Sequence, residues 1–481
     1  MGKDSLKLSI SKIVVLLVTM VTSMLLSRFR TLNEYGTYSQ ILLVVNLFIS
    51  VFSLGIPNSI NYFMVKYDGN NQKKFFLSNY YSMNFVMGIL MGCLAIATLP
   101  LIAIFFNNPY ITKFWFLLAL LPFCKLIVSS IGNFLIVYKK VTSLMVYNVI
   151  SALFLLSIVF ICEILGWGFW EYTIMLLCVE IFLAVVVFII VFHFAGKLNF
   201  VLDKEMLKQI FIYTVPLGLA ASVSVLNSEL DKLMIGYLID VESAALYANA
   251  ARELPITIIS ASFTAILLPK MVLDAKNKDY NAAVDKWSLC VKFNFVLLCF
   301  FSMICVVFAP QIITLLYSAK YVDGANVFRV YSIALLLRVT YFGMILNATG
   351  RTKFVFWSTI AALVTNIILD YVLFCVLGFI GPAIATIISI FVIQFAQLRF
   401  SSSLIKIKFQ NIFPWIFLLK VCVINCIFGA ILWCVIQYFK LGIDVNQIIK
   451  TILIGLVASV FYFLIFKNTM LSLWKKMNKE R

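Results

Sequence analysis

Fourteen stretches of mostly apolar residues follow one another along the chain. They fall at roughly 9–29, 37–64, 77–105, 112–138, 142–165, 169–194, 207–237, 242–269, 287–315, 325–348, 353–377, 380–402, 412–437 and 446–467. No other feature constrains the fold as strongly. Each stretch has the length that crosses the hydrocarbon core of a bilayer as a helix, about 20 residues. Lipid offers the backbone no hydrogen-bond partners, so such spans must satisfy their peptide groups internally. The 481 residues are 63% hydrophobic and only 12% charged, against about 25% charged in soluble domains. The expected fold class is an all-α polytopic membrane protein of about 14 transmembrane helices. The divisions at 165–169 and 377–380 rest on GWG (166–168) and GFIGP (378–382), where Gly and Pro punctuate an apolar run.

The net charge of +18 comes from 38 Lys and Arg against 20 Asp and Glu. In a soluble protein this would suggest nucleic acid as a partner. Here 25 of the basic residues fall in loops and span ends on one side, 5 on the other and 8 within spans. That is the positive-inside pattern, and it expects both termini in the cytoplasm, with no nucleic-acid partner. The first apolar stretch reads as a retained span rather than a cleaved signal. Connecting segments stay under about 20 residues and contain no G-x-x-x-x-G-K-[ST] loop. ATP-driven transport by this chain, and a large extracellular catalytic domain, are therefore not expected. The 11 cysteines are scattered through apolar runs without a CxxC pair, and His193 is the only histidine. They read as small buried hydrophobes, with no metal site and no cofactor.

Two hairpins resemble each other. RTLNEYGTYSQ (30–40) aligns with IDVESAALYAN (239–249), so that Tyr38 falls on Tyr247 and Gly36 on Ala245. The offset of about 209 residues contains six spans, an even number, so the copies point the same way. Such a parallel repeat is a transporter signature. The domains expected are an N-terminal lobe 1–195 of six helices, a linker 196–206, a C-terminal lobe 207–403 of six more, two additional helices within 411–467, and a basic tail 468–481.

SRFRTLNEYGTYSQILLVVNLFISVFSLGIPNSINYFM (27–64) resembles the opening signature of the Wzx-type polysaccharide flippases of the MOP exporter superfamily. YTVPLGLAASVSVLNSELDKLMIGYLIDVESAALYANAARELPITI (213–258) is similar to their second-half signature, and NATGRTK (347–353) to the Gly-basic turn after their tenth helix. The resemblance covers essentially the whole chain. It implies a V-shaped pair of lobes around a cavity in the bacterial cytoplasmic membrane. It implies a non-enzymatic function: moving an undecaprenyl-diphosphate-linked oligosaccharide to the outer leaflet by alternating access, for O-antigen, capsule or another surface polysaccharide. Implied partners are membrane lipids, a polysaccharide polymerase and a chain-length regulator. The alternatives are a multidrug or cation antiporter of the same superfamily, a membrane-embedded glycosyltransferase or polymerase, or a non-transporting scaffold.

Charged residues within spans are expensive, about 2.5–3.5 kcal/mol on insertion scales, and usually face a cavity or a partner. Lys125, Arg252 and Arg338 are the candidates to line the cavity and hold the diphosphate, with Arg28 and Arg30 at the outer end of the first span. Arg offers a bidentate fork that suits phosphate. The competing reading is an ion pair inside a lobe, for example Lys125 with Glu180. Lys125, Ser129 and Asn133 share a helical face, as do Arg338 and Tyr341. The deep acids are Glu180, Glu229, Asp231, Glu253 and Asp370. The stretch LNSELDKLMIGY (226–237) places Glu229 and Lys232 on one face at i,i+3, leaving Asp231 for ion coupling, by H⁺ or Na⁺, or for a latch to Arg252. Asp370 is the other coupling candidate. Pro122 and Pro255, each three residues from a candidate cation, are expected to kink their spans. GILMG (88–92) is expected to pack helices closely.

Overall fold

The computed structural model describes residues 2–67, 69–252, 254–439 and 441–479; Glu253 lies outside them. The described residues are helical almost throughout and contain no strand. They form two compact units, Met1–Ala245 and Leu246–Arg481. The first unit comprises α1 (Gly2–Phe29), α2 (Leu32–Phe52), α3 (Ser59–Lys66), α4 (Asn70–Phe105), α5 (Trp115–Val137), α6 (Val141–Ile164), α7 (Phe169–Ala195) and α8 (Lys204–Leu238). The unit boundary falls within α9 (Val241–Ala250). The second unit continues with α10 (Thr257–Lys276), α11 (Tyr280–Val307), α12 (Ala309–Tyr317), α13 (Ala325–Ala334) and α14 (Met344–Ala348). It ends with α15 (Thr352–Leu377), α16 (Gly381–Ile405), α17 (Phe409–Ile412), α18 (Trp415–Tyr438) and α19 (Val445–Lys479).

Among the described residues, 11 helical stretches are long and apolar enough to cross a membrane. One of them, Lys353–Ile405, is a hairpin of α15 and α16. Phe354 and Phe400 at its far end stack with centroids 4.0 Å apart, and Gln397 Nε2 donates to Ser358 Oγ at 3.1 Å. The expected spans at 242–269 and 325–348 are not continuous helices. The first breaks between α9 and α10, where Pro255 stands. The second tightens into a 3₁₀ turn at Leu335–Arg338 and leaves helical geometry until Met344. The span expected at 37–64 also breaks, between α2 and α3. These three of the expected spans are therefore interrupted. Pro122, by contrast, lies inside the continuous α5.

Each unit is organised around one buried helix. In the span containing α5, 61% of the apolar window is buried, and α5 touches α2, α3, α4, α6 and α7. In α11 the figure is 72%, and it touches α10, α12, α13, α18 and α19. The first unit runs on through α8 because α8 packs against α2, α3 and α4. The segment before it is held as well. The backbone N–H groups of Asn199, Val201 and Asp203 donate to Ser78 Oγ, Ser82 Oγ and Asn79 Oδ1 of α4, at 3.3, 2.9 and 2.6 Å.

The repeated hairpins have matching local structure. Thr31 caps α2 in a capping box with Glu34, and Asp240, at the same offset as the Tyr pair, caps α9 by accepting from Ser243 N at 2.6 Å. Tyr38 meets Tyr172 edge-on at 5.8 Å, and Tyr247 meets Phe379 edge-on at 5.6 Å. Both partners stand near the start of the sixth span of their copy. The repeat therefore reproduces a cap and an aromatic contact, not only a hydropathy profile.

Helices in lipid gain most from close backbone approach, since apolar burial alone favours no partner. Gly92 of GILMG does this against α5, where a Cβ would meet the Ala119 carbonyl oxygen. Gly218 of α8 lies against the break after α2, and a Cβ there would overlap the Leu54 backbone. Gly55, beside it, adopts φ +68°, a left-handed conformation natural to glycine. Gly218→Ala should thus cost about 1–3 kcal/mol through overpacking. Gly132→Ala in α5, where nothing lies within 4 Å, should be neutral or stabilise by up to about 1 kcal/mol. Thermal unfolding of the two variants in detergent checks this; equal melting temperatures would contradict the close contact.

Candidate functional site

The second unit brings two candidate cations together. Arg252 stands in the non-helical stretch after α9, and Arg338 ends the 3₁₀ turn after α13. Both line one narrow cleft of about 20 Å³, room for about one water molecule, together with Ala251, Leu254, Phe328, Tyr331, Ser332 and Leu335. Each arginine is half-buried. Both sit where a span has lost its helical geometry, so their direction is set by irregular backbone rather than by helical periodicity. The pairing of Arg338 with Tyr341 on one helical face does not hold, because Tyr341 lies beyond the turn. Chemically the cleft offers two guanidinium forks, two hydroxyl-bearing side chains and an apolar wall. That set suits a ligand with clustered anionic oxygens and an apolar or sugar-bearing remainder.

A profile of polysaccharide biosynthesis proteins matches residues 25–326. The chain belongs to that family. No curated protein matches the chain. Among solved structures, this polysaccharide biosynthesis protein is similar to the lipid II flippase MurJ in an inward closed conformation. That likeness has TM-score 0.76 and 17% identity, over 98% of this chain and 100% of that one. It is also similar to an inward-facing multidrug resistance MATE family transporter of the MOP superfamily, with TM-score 0.64 and 15% identity over 84% and 98% of the two chains. A third is a MOP superfamily transporter from Pyrococcus furiosus, with TM-score 0.53 and 16% identity over 84% and 96%. At such identities the likeness establishes the fold, that of MOP superfamily transporters. With its run of membrane-length helices, the polysaccharide biosynthesis protein is a multi-pass membrane protein.

The other expected site residues fall in the first unit, apart from Asp370. Lys125 of α5 pairs with Glu180 of α7, the carboxylate side chain 3% exposed and the lysine 35%. The polar face Lys125–Ser129–Asn133 exists, but its members are engaged locally. Asn133 Nδ2 donates to the Pro57 carbonyl at 2.7 Å and its Oδ1 accepts from Asn61, so it braces the break between α2 and α3. Arg30 is buried and donates through Nη1 to the Trp167 carbonyl at 2.9 Å, tying the α1–α2 corner to the α6–α7 loop. Arg28 is exposed on the last turn of α1. Glu229 and Lys232 form the expected i,i+3 pair at 2.8 Å. Asp231 is 3% exposed and accepts from Lys232 N at 2.8 Å. It lies in the first unit and Arg252 in the second. Asp370 of α15 is fully buried, with Asn366 Nδ2 3.4 Å from its Oδ2. Among the described residues no cluster of His, Cys, Asp or Glu has the makings of a metal site.

The cleft's uncharged members, Tyr331 and Ser332, have no charge to mark them in the sequence; their signal is spacing, since both lie within about one turn of the 3₁₀ segment in an otherwise apolar run. Arg329 acts as a clasp: its Nη1 donates to Asn326 Oδ1 at 2.6 Å, Nε donates to the Val306 carbonyl at 3.2 Å, and the guanidinium lies 5.8 Å over Trp433.

The Lys125–Glu180 pair gives a direct prediction. Removing one partner leaves the other charge stranded between helices. Lys125→Leu and Glu180→Leu should each lower the melting temperature, and the double variant should recover part of the loss, with a coupling of about 1–3 kcal/mol. Additive losses would show that the pair does not couple α5 to α7.

Proposed function

We propose that this chain flips an undecaprenyl-diphosphate-linked oligosaccharide from the inner to the outer leaflet of the bacterial cytoplasmic membrane, without ATP and by alternating access. In this reading both termini face the cytoplasm. The product serves O-antigen, capsule or another surface polysaccharide, and a polymerase and chain-length regulator receive it. The observation that carries the reading is the convergence of Arg252 and Arg338 on one cleft. Membership of the polysaccharide biosynthesis family and the likeness to a structure described as a lipid II flippase support it. A diphosphate linker is common to such substrates whatever sugar follows, so two forked cations reading the linker explain how a varied glycan could be carried. In this reading Lys125 and Arg30 take no primary part, and Arg28, at the end of α1, acts in release rather than capture.

In a strain lacking this protein, lipid-linked oligosaccharide should accumulate with its sugar facing the cytoplasm, and the wild-type chain should clear it. Arg252→Ala and Arg338→Ala should each reduce surface glycan at least about tenfold at normal protein abundance, the scale of one lost charge-assisted contact. Surface glycan at wild-type level in both variants would refute the cleft as the diphosphate site. Dye efflux restored by this chain in a drug-sensitive strain, with no change in glycan, would favour an antiporter.

For coupling we assign Asp370, a fully buried acid beside Asn366, with Asp231 as the second candidate. Transport by Asp370→Asn should lose its dependence on an imposed Na⁺ or pH gradient while retaining substrate binding. An unchanged gradient dependence would remove Asp370 from the cycle.

A further inference from the structure

The break that carries Arg338 is held open from outside. The segment 325–348 contains no proline, unlike the stretches after α2 and α9, which contain Pro57 and Pro255. Its own sequence is an apolar run that could continue as a helix, with every interior carbonyl taken by an N–H four residues on. Instead, three side chains from neighbouring helices bond to it. Gln394 of α16 donates through Nε2 to the Leu337 carbonyl at 2.7 Å. Asn294 of α11 donates through Nδ2 to the Val339 carbonyl at 3.1 Å. Trp287 of α11 donates through Nε1 to Thr340 Oγ1 at 2.8 Å. The first two carbonyls bracket Arg338. Asn294 and Trp287 are fully buried, and Gln394 is partly so.

We propose that Asn294 and Gln394 are positioning residues that hold the unwound segment 335–343 open and thereby aim Arg338 into the cleft it shares with Arg252. The proposal rests on the diphosphate reading of that cleft. The physical argument concerns what the amides replace. A carbonyl left without a donor inside a membrane protein costs several kcal/mol, so an unwound strip persists only where another donor reaches it. Two amide side chains in apolar helices are themselves costly to bury, and both are spent on the residues flanking one arginine. Without them the lowest-energy course for the segment is to close its own hydrogen bonds. Each residue regained by the helix would turn Arg338 by about 100° around the axis, enough to move the guanidinium off the cleft. Trp287, bonded one residue further on, anchors the far side of the same strip.

A double-mutant cycle tests this. The full-length protein in nanodiscs is titrated with undecaprenyl diphosphate, and affinity is read by thermophoresis. Gln394→Met and Asn294→Leu preserve size and remove the donors. Each should weaken binding about tenfold when Arg338 is present and produce no further loss in the Arg338→Ala background. Gln394→Asn and Asn294→Gln, which retain an amide donor, should recover part of the affinity. Equal losses with and without Arg338 would mean that the amides act on the fold at large, and the proposal fails. Unchanged affinity in Gln394→Met and Asn294→Leu, with a clear loss in Arg338→Ala, would overturn the positioning role and leave the cleft intact. No loss in Arg338→Ala itself would overturn both. Should Asn294→Leu fail to fold, Gln394→Met at its partly exposed site carries the cycle alone.

Discussion

Every peptide group in a membrane protein needs a hydrogen-bond partner, and lipid supplies none. An unbroken helix meets the demand internally, which is why apolar runs of membrane length become helices with little further instruction. Departures from the helix are expensive unless the protein itself provides donors and acceptors. In this chain two such departures are visibly provisioned. The break after α2 has Asn133 of α5 on the Pro57 carbonyl. The break after α13 has Gln394 and Asn294 on the carbonyls either side of Arg338. At these two breaks the carbonyls released by the helix meet amide side chains of neighbouring helices, and the second break carries a charge.

The two units use the same repeat to different ends. Thr31 and Asp240 cap equivalent helices, and Tyr38 and Tyr247 make equivalent edge-on contacts. Beyond this shared frame the charges diverge. In the first unit Lys125 lies within a continuous helix and pairs with Glu180. In the second, Arg338 lies in the corresponding span, but that span is broken and the arginine lines a cleft with Arg252.

Much of the fold was legible because its signals are additive. Apolar runs and the aligned hairpins each accumulate over many residues, so single exceptions do little harm. The Glu229–Lys232 pair was legible for a related reason: i,i+3 geometry is fixed by the helix itself. The breaks were harder. The run 325–348 keeps its hydropathy through the unwound turn and contains no proline to mark it, because the cause lies in α11 and α16. The partner of Arg30 was invisible, since a backbone carbonyl at Trp167 has no signature in sequence. Asn294 and Gln394 were overlooked because a lone amide in an apolar helix looks like any polar residue tolerated in packing. Only its partner, a carbonyl beside a half-buried arginine, gives it meaning.

The choice of arginine over lysine in the cleft follows from donor geometry. An ammonium carries its charge at a point, and Lys125 commits that point to one carboxylate. A guanidinium spreads its charge over a planar fork with several N–H donors. It can keep one bond to the protein, which fixes its direction, and still present a free edge to a ligand. That matters in a membrane, where a cation with no partner at all is costly between transport events. Arginines at Arg252 and Arg338 can remain hydrogen-bonded in the resting protein and yet meet an anion when one arrives. Lysines at the same positions would offer a point charge without the planar fork that matches a phosphate. The unwound backbone and the fork thus solve the same problem from two sides: the first sets where the cation points, and the second lets it point there without being left bare.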